Sequence, residues 1–473
     1  MIDMKRHFLY IFSVLSLFLF LPSTSMGEIM FKYRVYLKDK GEDEYSKENP
    51  ESFLSPEAIQ RRENFDIPID VKDIPVSPSY IEELQDVSLG VEFVSKWFNT
   101  AVVSLEQEKD TEKVVKLDFV KSIKRVWLKD TMEREEERER LFNPILTDEV
   151  PDSLLGKELY GVAFEQLKRH RGDYLHTMGY RGKGVCIAVI ENGFRNVNEL
   201  FPFSKTKIRG EKDILNNDTT AYDGEFMGTR ILSVLAANEE YNFVGIAPDA
   251  EYVLLDVNTT DHGYPIEEDR WICAVEFADS IGADMIVSSL GFSYFDNNFE
   301  SYRPEDLNGC TAFSSQAVNI GVKKGLLFVL NSGDERGMSW QWVQFPADCE
   351  NVLVVGATNG VGKRGAFSAA MRTNTGKVRP NVVSVGNDIE AIDYTGKHIK
   401  TNGDCYATAI IAGLTACIKQ AFPTLTNVQL IDAVKGGGLN EPIYGIGYSQ
   451  PDFFKVYLNA KRMLGDEESK DMK

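Results

Sequence analysis

Several stretches near the N-terminus alternate between hydrophobic and polar residues, as half-buried β-strands do. Residues 31–37 (FKYRVYL) and 99–105 (NTAVVSL) show this alternation, and 118–128 adds a third strand-like stretch. Helical patterns lie between them, at 55–62 and 77–86. Strands mixed with short helices over this length predict a small α+β unit.

From about residue 155 onward, hydrophobic runs with strand character alternate with runs that have helical spacing. The runs are 185–190 (VCIAVI), 229–237, 251–257, 272–281, 284–289 (DMIVSS), 312–324, 326–331, 352–356 and 406–420. Alternating strands and helices predict an α/β fold in which helices flank both faces of a parallel sheet. Ligands and chemistry gather at the carboxyl ends of such strands, so residues just after each run are the candidate site.

A dense run of mixed charge separates the two regions. It reads MEREEERER over 132–140 and contains little that a core could bury, which is typical of an exposed linker. We therefore predict a first domain over 28–130, a charged linker over 131–154 and a second domain over 155–464. The residues that follow, 465–473, form a charged tail.

The N-terminal 27 residues have the layout of a secretory signal peptide. Lys5 and Arg6 precede an apolar run over 8–21, and small residues follow before residue 28. The run is short for a membrane-spanning helix and no comparable run follows, so we predict no membrane span after signal removal. The protein is expected to be exported, to a periplasmic, cell-surface or secreted location. An uncleaved anchor is the alternative.

Composition is that of an ordinary globular protein, and the formal net charge of −20 argues against nucleic acid as a partner. Six cysteines are sparse and lack metal-ligand spacing. We predict at most one or two disulfides, with Cys310 and Cys349 as the favoured pair because both lie near expected loop ends. Cys186 lies inside an apolar run and is expected in the core.

Five stretches of the second region resemble, in chain order, blocks of the subtilisin-like serine proteases, the subtilase family. Three resemble the catalytic blocks: 182–194 (GKGVCIAVIENGF), 227–236 (MGTRILSVLA) and 402–414 (NGDCYATAIIAGL). Residues 288–291 (SSLG) resemble the edge strand that pairs with a substrate backbone, and 331–337 (NSGDERG) resembles the loop that carries the oxyanion-hole Asn. The resemblance implies a subtilisin-like parallel sheet over the second domain. Residues 29–130 resemble the family's inhibitory propeptide.

The resemblance also implies which positions carry catalysis, and each of them is substituted. The family's Asp, His, Asn and Ser positions are Glu191, Met227, Asp334 and Cys405 in this chain. A thioether cannot act as a general base, so Met227 removes the proton acceptor that the mechanism requires. Asp334 would place an anionic acceptor where an oxyanion-hole donor is needed. The triad is degenerate, and we predict a noncatalytic protein.

A cysteine-protease mechanism would need a histidine near Cys405. The candidates His170, His176, His262 and His398 do not match the family's base position, and each is more easily explained as an ordinary surface or core residue. Cys405 is expected at a helix N-terminus, which can lower a thiol pKa and make it reactive. The alternative is a buried thiol of serine-like size.

Three functions stay open at this stage. The first is an exported pseudoprotease that binds peptide or protein segments in the former substrate cleft, through Ser289, Leu290 and Gly291 by strand addition. The second is an active serine-type or Cys405-dependent endopeptidase. The third is a structural subunit of an envelope complex, with its own N-terminal domain over the cleft. We expect no cofactor and assign no metal site; calcium is common in the family but no residues are assigned to it.

Structural explanations of the same residues are also open. Glu191 can be a solvated carboxylate at a strand end, Met227 can serve helix packing, and the SSLG stretch can belong to an inner strand of the sheet. Such readings concern single positions, whereas the resemblance rests on five stretches in one order.

Overall fold

The computed structural model describes residues 30–41, 45–129, 157–216, 220–257, 263–296, 299–333, 340, 342–372 and 377–471. The N-terminal part contains four strands and three helices within these ranges. They are β1 (Phe31–Leu37), α1 (Pro56–Asn64), α2 (Pro78–Asp86), β2 (Gly90–Ser95), β3 (Thr100–Leu105), α3 (Thr111–Val114) and β4 (Val120–Leu128). The strands form an antiparallel sheet in the order β2-β3-β1-β4.

The N-terminal strands and helices that the hydrophobic pattern predicts are confirmed, and β1 occupies the predicted range. Strand β2 was missed. Its register shifts between Val91 and Phe93, and such an irregularity breaks the alternation that a sequence pattern can detect.

The second part contains the remaining elements. Its strands are β5 (Cys186–Glu191), β6 (Lys207–Asp213), β7 (Asn238–Glu239), β8 (Phe243–Val244), β9 (Glu251–Asp256), β10 (Met285–Ser288), β11 (Leu327–Asn331), β12 (Leu353–Thr358), β13 (Met371–Arg372), β14 (Val378–Arg379), β15 (Val382–Val385), β16 (Ile389–Ile392) and β17 (His398–Thr401). Its helices are α4 (Lys157–Tyr160), α5 (Phe164–Lys168), α6 (Gly172–Thr177), α7 (Met227–Ala236), α8 (Ile266–Ser280), α9 (Phe313–Lys323), α10 (Asp404–Ala421), α11 (Asn427–Lys435) and α12 (Phe453–Asp471).

A parallel sheet of seven strands, counted within the described ranges, organises this part in the order β15-β12-β11-β10-β5-β9-β6. Alternate residues of β5 enter two different cores. Ile187 and Val189 belong to the hydrophobic cluster that contains α7 and α10, while Ala188 and Ile190 belong to the cluster that contains α8 and α9. The predicted parallel sheet with helices on both faces is therefore confirmed.

The strand order places β11, β10 and β5 next to one another in the middle of the sheet, with their carboxyl ends side by side. Helix α8 begins earlier than the predicted 272–281, because its first turns carry acidic residues that the hydrophobic pattern did not include. Strand β6 was not predicted, since its sequence KIRGEKD is mostly polar and lies at the sheet edge.

The N-terminal sheet packs on helices α8 and α9 rather than standing apart. Phe93, Trp97, Val102 and Val126 belong to the same hydrophobic cluster as residues of those two helices. The opposite face of the sheet forms a separate cluster with α2. The two parts thus share one apolar core, whose burial contributes to stability at roughly 25 cal/mol per Å².

The predicted disulfide between Cys310 and Cys349 is wrong, because all six cysteines are free thiols. Cys349 is buried and its Sγ lies 3.4 Å from the carbonyl oxygen of Ser315. Cys310 is exposed, and its Sγ donates to Asn308 Oδ1 at 3.1 Å. The two thiols are therefore held by different partners. Cys186 lies in the core, as predicted.

Three sequence predictions fall outside the described residues: the signal peptide over 1–27, the charged linker over 131–154, and the end of the tail at 472–473. The predicted domain boundaries accordingly stay predictions. No helix in the described part of the chain is long and apolar enough to cross a membrane.

Candidate active site

Glu191 ends strand β5 and is buried, with 2% of its surface exposed. Its Oε1 accepts a hydrogen bond from the backbone N–H of Ser289 at 2.7 Å and another from the Ser289 hydroxyl. Burial raises the pKa of the Glu191 carboxyl to about 7. The alternative of a solvated carboxylate at this strand end is wrong, because Ser289, which directly follows the neighbouring strand β10, is hydrogen-bonded to the buried carboxyl group.

Cys405 is the second residue of helix α10 and is partly buried. Burial, followed by the negative charges of Asp404 and Glu191, raises the pKa of the Cys405 thiol well above its usual value. A helix N-terminus favours a thiolate, but here desolvation and two acidic neighbours oppose it. The surroundings of Cys405 fit the expectation of a buried thiol of serine-like size. They do not fit the expectation of a reactive thiol.

Met227 is the first residue of α7 and packs against the cluster that contains α7 and α10. The hydroxyl of Tyr406 lies 3.7 Å from Met227 Sδ, at a distance suited to a weak hydrogen bond to sulfur. Tyr406 itself is 1% exposed and follows Cys405 in α10. The structure therefore places Met227 beside the start of α10. The resemblance implies that the general base would lie at this position, which the Met227 thioether occupies with the Tyr406 phenol beside it.

Asp404 fastens the start of α10 to the end of β11. Its Oδ2 accepts hydrogen bonds of 3.1 Å from Asn331 Nδ2 and from the backbone N–H of Gly333. The Asp404 side chain is 5% exposed. By its resemblance to the third catalytic block, the sequence places Asp404 where the family has Thr, but it gave no role to this carboxyl group between the start of α10 and the end of β11. An acidic residue directly before the nucleophile position was the available signal.

Ser289, Leu290 and Gly291 follow strand β10. Ser288 ends β10, which lies between β5 and β11 inside the sheet, so 288–291 is not an edge strand of this sheet. Pairing of residues 289–291 with a substrate backbone stays a prediction. Residues 289–291 continue beyond the sheet and are partly exposed. The N–H of Ser289 is taken by Glu191, whereas the N–H and C=O groups of Gly291 make no hydrogen bond to the described residues.

The described histidines lie in other surroundings than Cys405. His170 is hydrogen-bonded to Pro451 O and Ser384 Oγ, and burial lowers its pKa to about 4. His176 contacts the Tyr160 hydroxyl and Ile246 O, and burial likewise lowers its pKa to about 4.

His398 lies in β17, where its ring is 5.7 Å from that of Phe243. His262 and the oxyanion position Asp334 both lie outside the described residues. Across the described ranges, no hydrogen bond joins Cys405 Sγ to a histidine or to Glu191. In the same ranges, no three His, Cys, Asp or Glu side chains are placed together so that they could hold a metal ion.

A second group of carboxylates, on α8, was missed by sequence reasoning. Glu276 accepts from Ser95 Oγ at 2.5 Å and from the backbone N–H groups of Lys96 and Trp97 at 2.8 and 3.1 Å. Asp269 is one member of a buried ion pair with Arg34. The hydrophobic pattern did not single out these acidic residues, which hold the N-terminal sheet.

Asp279 extends this group into a buried network of opposite charges. It pairs with Arg61 and Arg62, and Arg62 also pairs with Asp73 at 2.7 Å. Lys324 Nζ reaches Asp73 at 2.6 Å from the end of α9. Both parts of the chain contribute to this network: Arg61, Arg62 and Asp73 come from the first part, and Asp279 and Lys324 come from the second.

Comparison with known proteins agrees with this architecture. A model of the subtilase family matches residues 182–436, more than half of the chain. A model of the peptidase S8 propeptide domain of Bacteroidota matches residues 32–140. The resemblance noted in the sequence is thereby confirmed for both parts.

Individual relatives give the same result. Subtilisin E of Bacillus subtilis (strain 168) is 29% identical over 266 residues, which cover 55% of this chain and 62% of that protein. Subtilisin BL of Lederbergia lenta is 28% identical over 287 residues, covering 59% of this chain and 94% of that protein. The match thus spans less than two thirds of subtilisin E.

Among solved structures, MycP1 from Mycobacterium smegmatis has a TM-score of 0.51 at 20% identity, covering 66% of this chain and 87% of that one, which is a similarity of fold. A parallel sheet flanked by helices, preceded by a domain with an antiparallel sheet, is consistent with a subtilase domain that follows a propeptide domain. On the strength of the family model over residues 182–436, the chain belongs to the subtilase family.

Proposed function

We propose that this protein is an exported pseudoprotease, a noncatalytic subtilase that binds peptide or protein segments in the former substrate cleft. The observation that carries the proposal is Met227 at the start of α7, with the Tyr406 hydroxyl 3.7 Å from its sulfur. Neither group accepts a proton at neutral pH, because the thioether is not basic and burial raises the pKa of the Tyr406 phenol. Nucleophilic catalysis needs such an acceptor next to the nucleophile.

The remaining groups support the same proposal. The thiol of Cys405 is held in its protonated form by burial and by neighbouring negative charge. Glu191 is a candidate for a substitute base, but its Oε1 is already occupied by two donors from Ser289. Loss of a complete triad costs roughly a millionfold in turnover, which leaves little for an assay to detect.

Peptide binding is supported by the backbone at 289–291. The N–H and C=O groups of Gly291 are without hydrogen bonds to the described residues, and Ser289 and Leu290 keep unpaired carbonyl groups in the same ranges. A short run of unpaired backbone is what strand addition by an extended segment requires. A bound peptide would be held by hydrogen bonds between its main chain and that of residues 289–291. The crevices beside these residues would select among its side chains.

Retention of the N-terminal domain is part of the proposal. Family propeptides are usually removed by the enzyme's own active site, so a noncatalytic site would leave residues 28–150 attached. Strand β4 ends against the second part of the chain, where the ring of Trp127 lies 6.1 Å from that of Tyr264. The intact mass of the exported protein tests retention, and spontaneous cleavage of purified protein between residues 130 and 155 would oppose it.

The decisive test is a set of three parallel assays on the purified protein that begins at residue 28. It is treated with a fluorophosphonate, with a thiol-directed peptide electrophile, and with unfolded casein as substrate. We expect no labelling at residue 405 and no casein turnover, because no histidine in the described part of the chain is hydrogen-bonded to the nucleophile position. Subtilisin BL assayed alongside provides the active control.

Turnover of casein that disappears in Cys405→Ala would overturn the proposal. Cys405→Ser is the matched variant, since it restores the hydroxyl of the family nucleophile without supplying a base. We expect it to be as inactive as the unaltered protein. Binding is tested separately with extended peptides, as described below.

A further inference from the structure

Two glycines face each other across the crevice where strands β10 and β11 diverge. Gly291 lies three residues past the end of β10 and Gly333 lies two residues past the end of β11. These strands are parallel neighbours, and the crevice at their carboxyl ends is where ligands bind in such sheets. Asp404, at the start of α10, contacts the Gly333 side of the crevice through the N–H of that residue.

The side chain of Gln344 fills this crevice. A Cβ placed on Gly291 would lie 2.6 Å from both Cβ and Oε1 of Gln344. A Cβ placed on Gly333 would lie 2.9 Å from Cγ and Oε1 of the same residue. One glutamine side chain therefore touches both walls, and no larger residue could stand at either glycine without displacing it.

The backbone around Gln344 keeps its side chain in this place. Phe345 exchanges two hydrogen bonds with Phe292, of 2.9 and 3.0 Å, on the Gly291 side of the crevice. The N–H of Gln344 donates to Ser332 O at 3.2 Å on the Gly333 side. Because the segment is bonded to both walls, Gln344 cannot leave the crevice by a simple loop movement.

We propose that Gln344 is a specificity-determining residue, and that the cleft accepts extended peptides with glycine at the position that faces it. The inference rests on the proposed function. Side chains of an added strand alternate in direction, so one residue of a segment bound along 289–291 points toward the crevice. Gln344 already occupies the volume that this side chain would need, and glycine has no side chain to place there.

The test uses pools of fluorescein-labelled, end-blocked hexapeptides in which one position at a time is fixed as Gly, Ala, Leu or Phe. Binding to the full chain from residue 28 is followed by fluorescence anisotropy. At one position the unaltered protein should bind the Gly pool at least about tenfold more tightly than the Phe pool. In Gln344→Gly the crevice is open, and the preference at that position should fall below about threefold.

Gln344→Glu is the matched control, since it keeps the length and volume of the side chain and should keep the glycine preference. Thermal unfolding of each variant establishes that it is folded. Two outcomes would overturn the assignment of Gln344 but leave the proposed function standing. In the first, the pools bind but no position prefers glycine. In the second, a glycine preference is found and persists in Gln344→Gly. Failure of every pool to bind both proteins overturns the proposed function, and this inference with it.

Discussion

The guanidinium of Arg34 donates hydrogen bonds of 2.6 Å from Nε and Nη2 to the carboxylate of Asp269, and the side chains are 3% and 4% exposed. Arg34 belongs to strand β1 of the N-terminal sheet and Asp269 to helix α8 of the subtilase domain. A bidentate pair of this kind has both geometry and charge matched. Because this ion pair is buried between the two domains, the stability of each domain depends on the presence of the other.

Removing one partner of this pair should destabilise the whole protein. In Asp269→Ala the buried guanidinium loses its counter-charge, and we expect the free energy of unfolding to fall by about 3–5 kcal/mol. Urea unfolding of the full chain, followed by tryptophan fluorescence, measures the change. A loss below about 1 kcal/mol would mean that the pair behaves like an exposed one.

The double variant Arg34→Met with Asp269→Leu separates charge pairing from packing. Apolar residues of similar volume leave no buried charge, and such replacements are often neutral or stabilising. We expect the double variant to unfold at a urea concentration close to that of the unaltered protein. An equally large loss in both variants would assign the effect to packing.

Stability should also depend on pH through Glu191. Burial raises the pKa of this carboxyl in the folded protein to about 7 from a usual value of 4.5. The folded state therefore holds a proton that the unfolded chain has released, and stability falls as pH rises from about 4.5 to 7. Glu191→Gln, which cannot ionise, should be more stable than the unaltered protein at pH 8 by about 1–3 kcal/mol.

At pH 4 the Glu191→Gln variant and the unaltered protein should be equally stable, because the Glu191 carboxyl is then mostly protonated in the folded and in the unfolded state. Glu83→Gln, on the exposed face of α2, is the matched control for the change from a carboxyl to an amide group at an exposed position. Equal stability of the Glu191→Gln variant and the unaltered protein at both pH values would contradict the expectation.

Cys405 should be a poor nucleophile even toward small reagents. Because burial raises the pKa of its thiol, little thiolate is present at pH 8. We expect iodoacetamide to label exposed Cys310 first and Cys405 at least about tenfold more slowly, with rates read from mass spectra of digested time points. In urea the two rates should converge, since unfolding removes the difference in burial. Rapid labelling of Cys405 in the folded protein would argue for an activated thiol.

Much of the fold could be predicted from local pattern. The run at 185–190 became strand β5 and the run at 406–420 lies within α10, because hydrophobic periodicity is a property of neighbouring residues. The positions Glu191, Met227 and Cys405 could be found for a similar reason, since each lies in a contiguous motif. The bulged strand β2 could not, because its alternation is interrupted.

The sequence by itself thus determined the parallel sheet and the family, and it predicted where the substituted catalytic positions lie. Only the tertiary structure decided what surrounds them: Ser289 on the carboxyl group of Glu191, Gln344 between Gly291 and Gly333, and Arg34 against Asp269. Each of these relationships joins residues far apart along the chain, and local periodicity carries no information about such partners. Burial, and with it the pKa of a carboxyl or a thiol, is set by the packing of those distant segments.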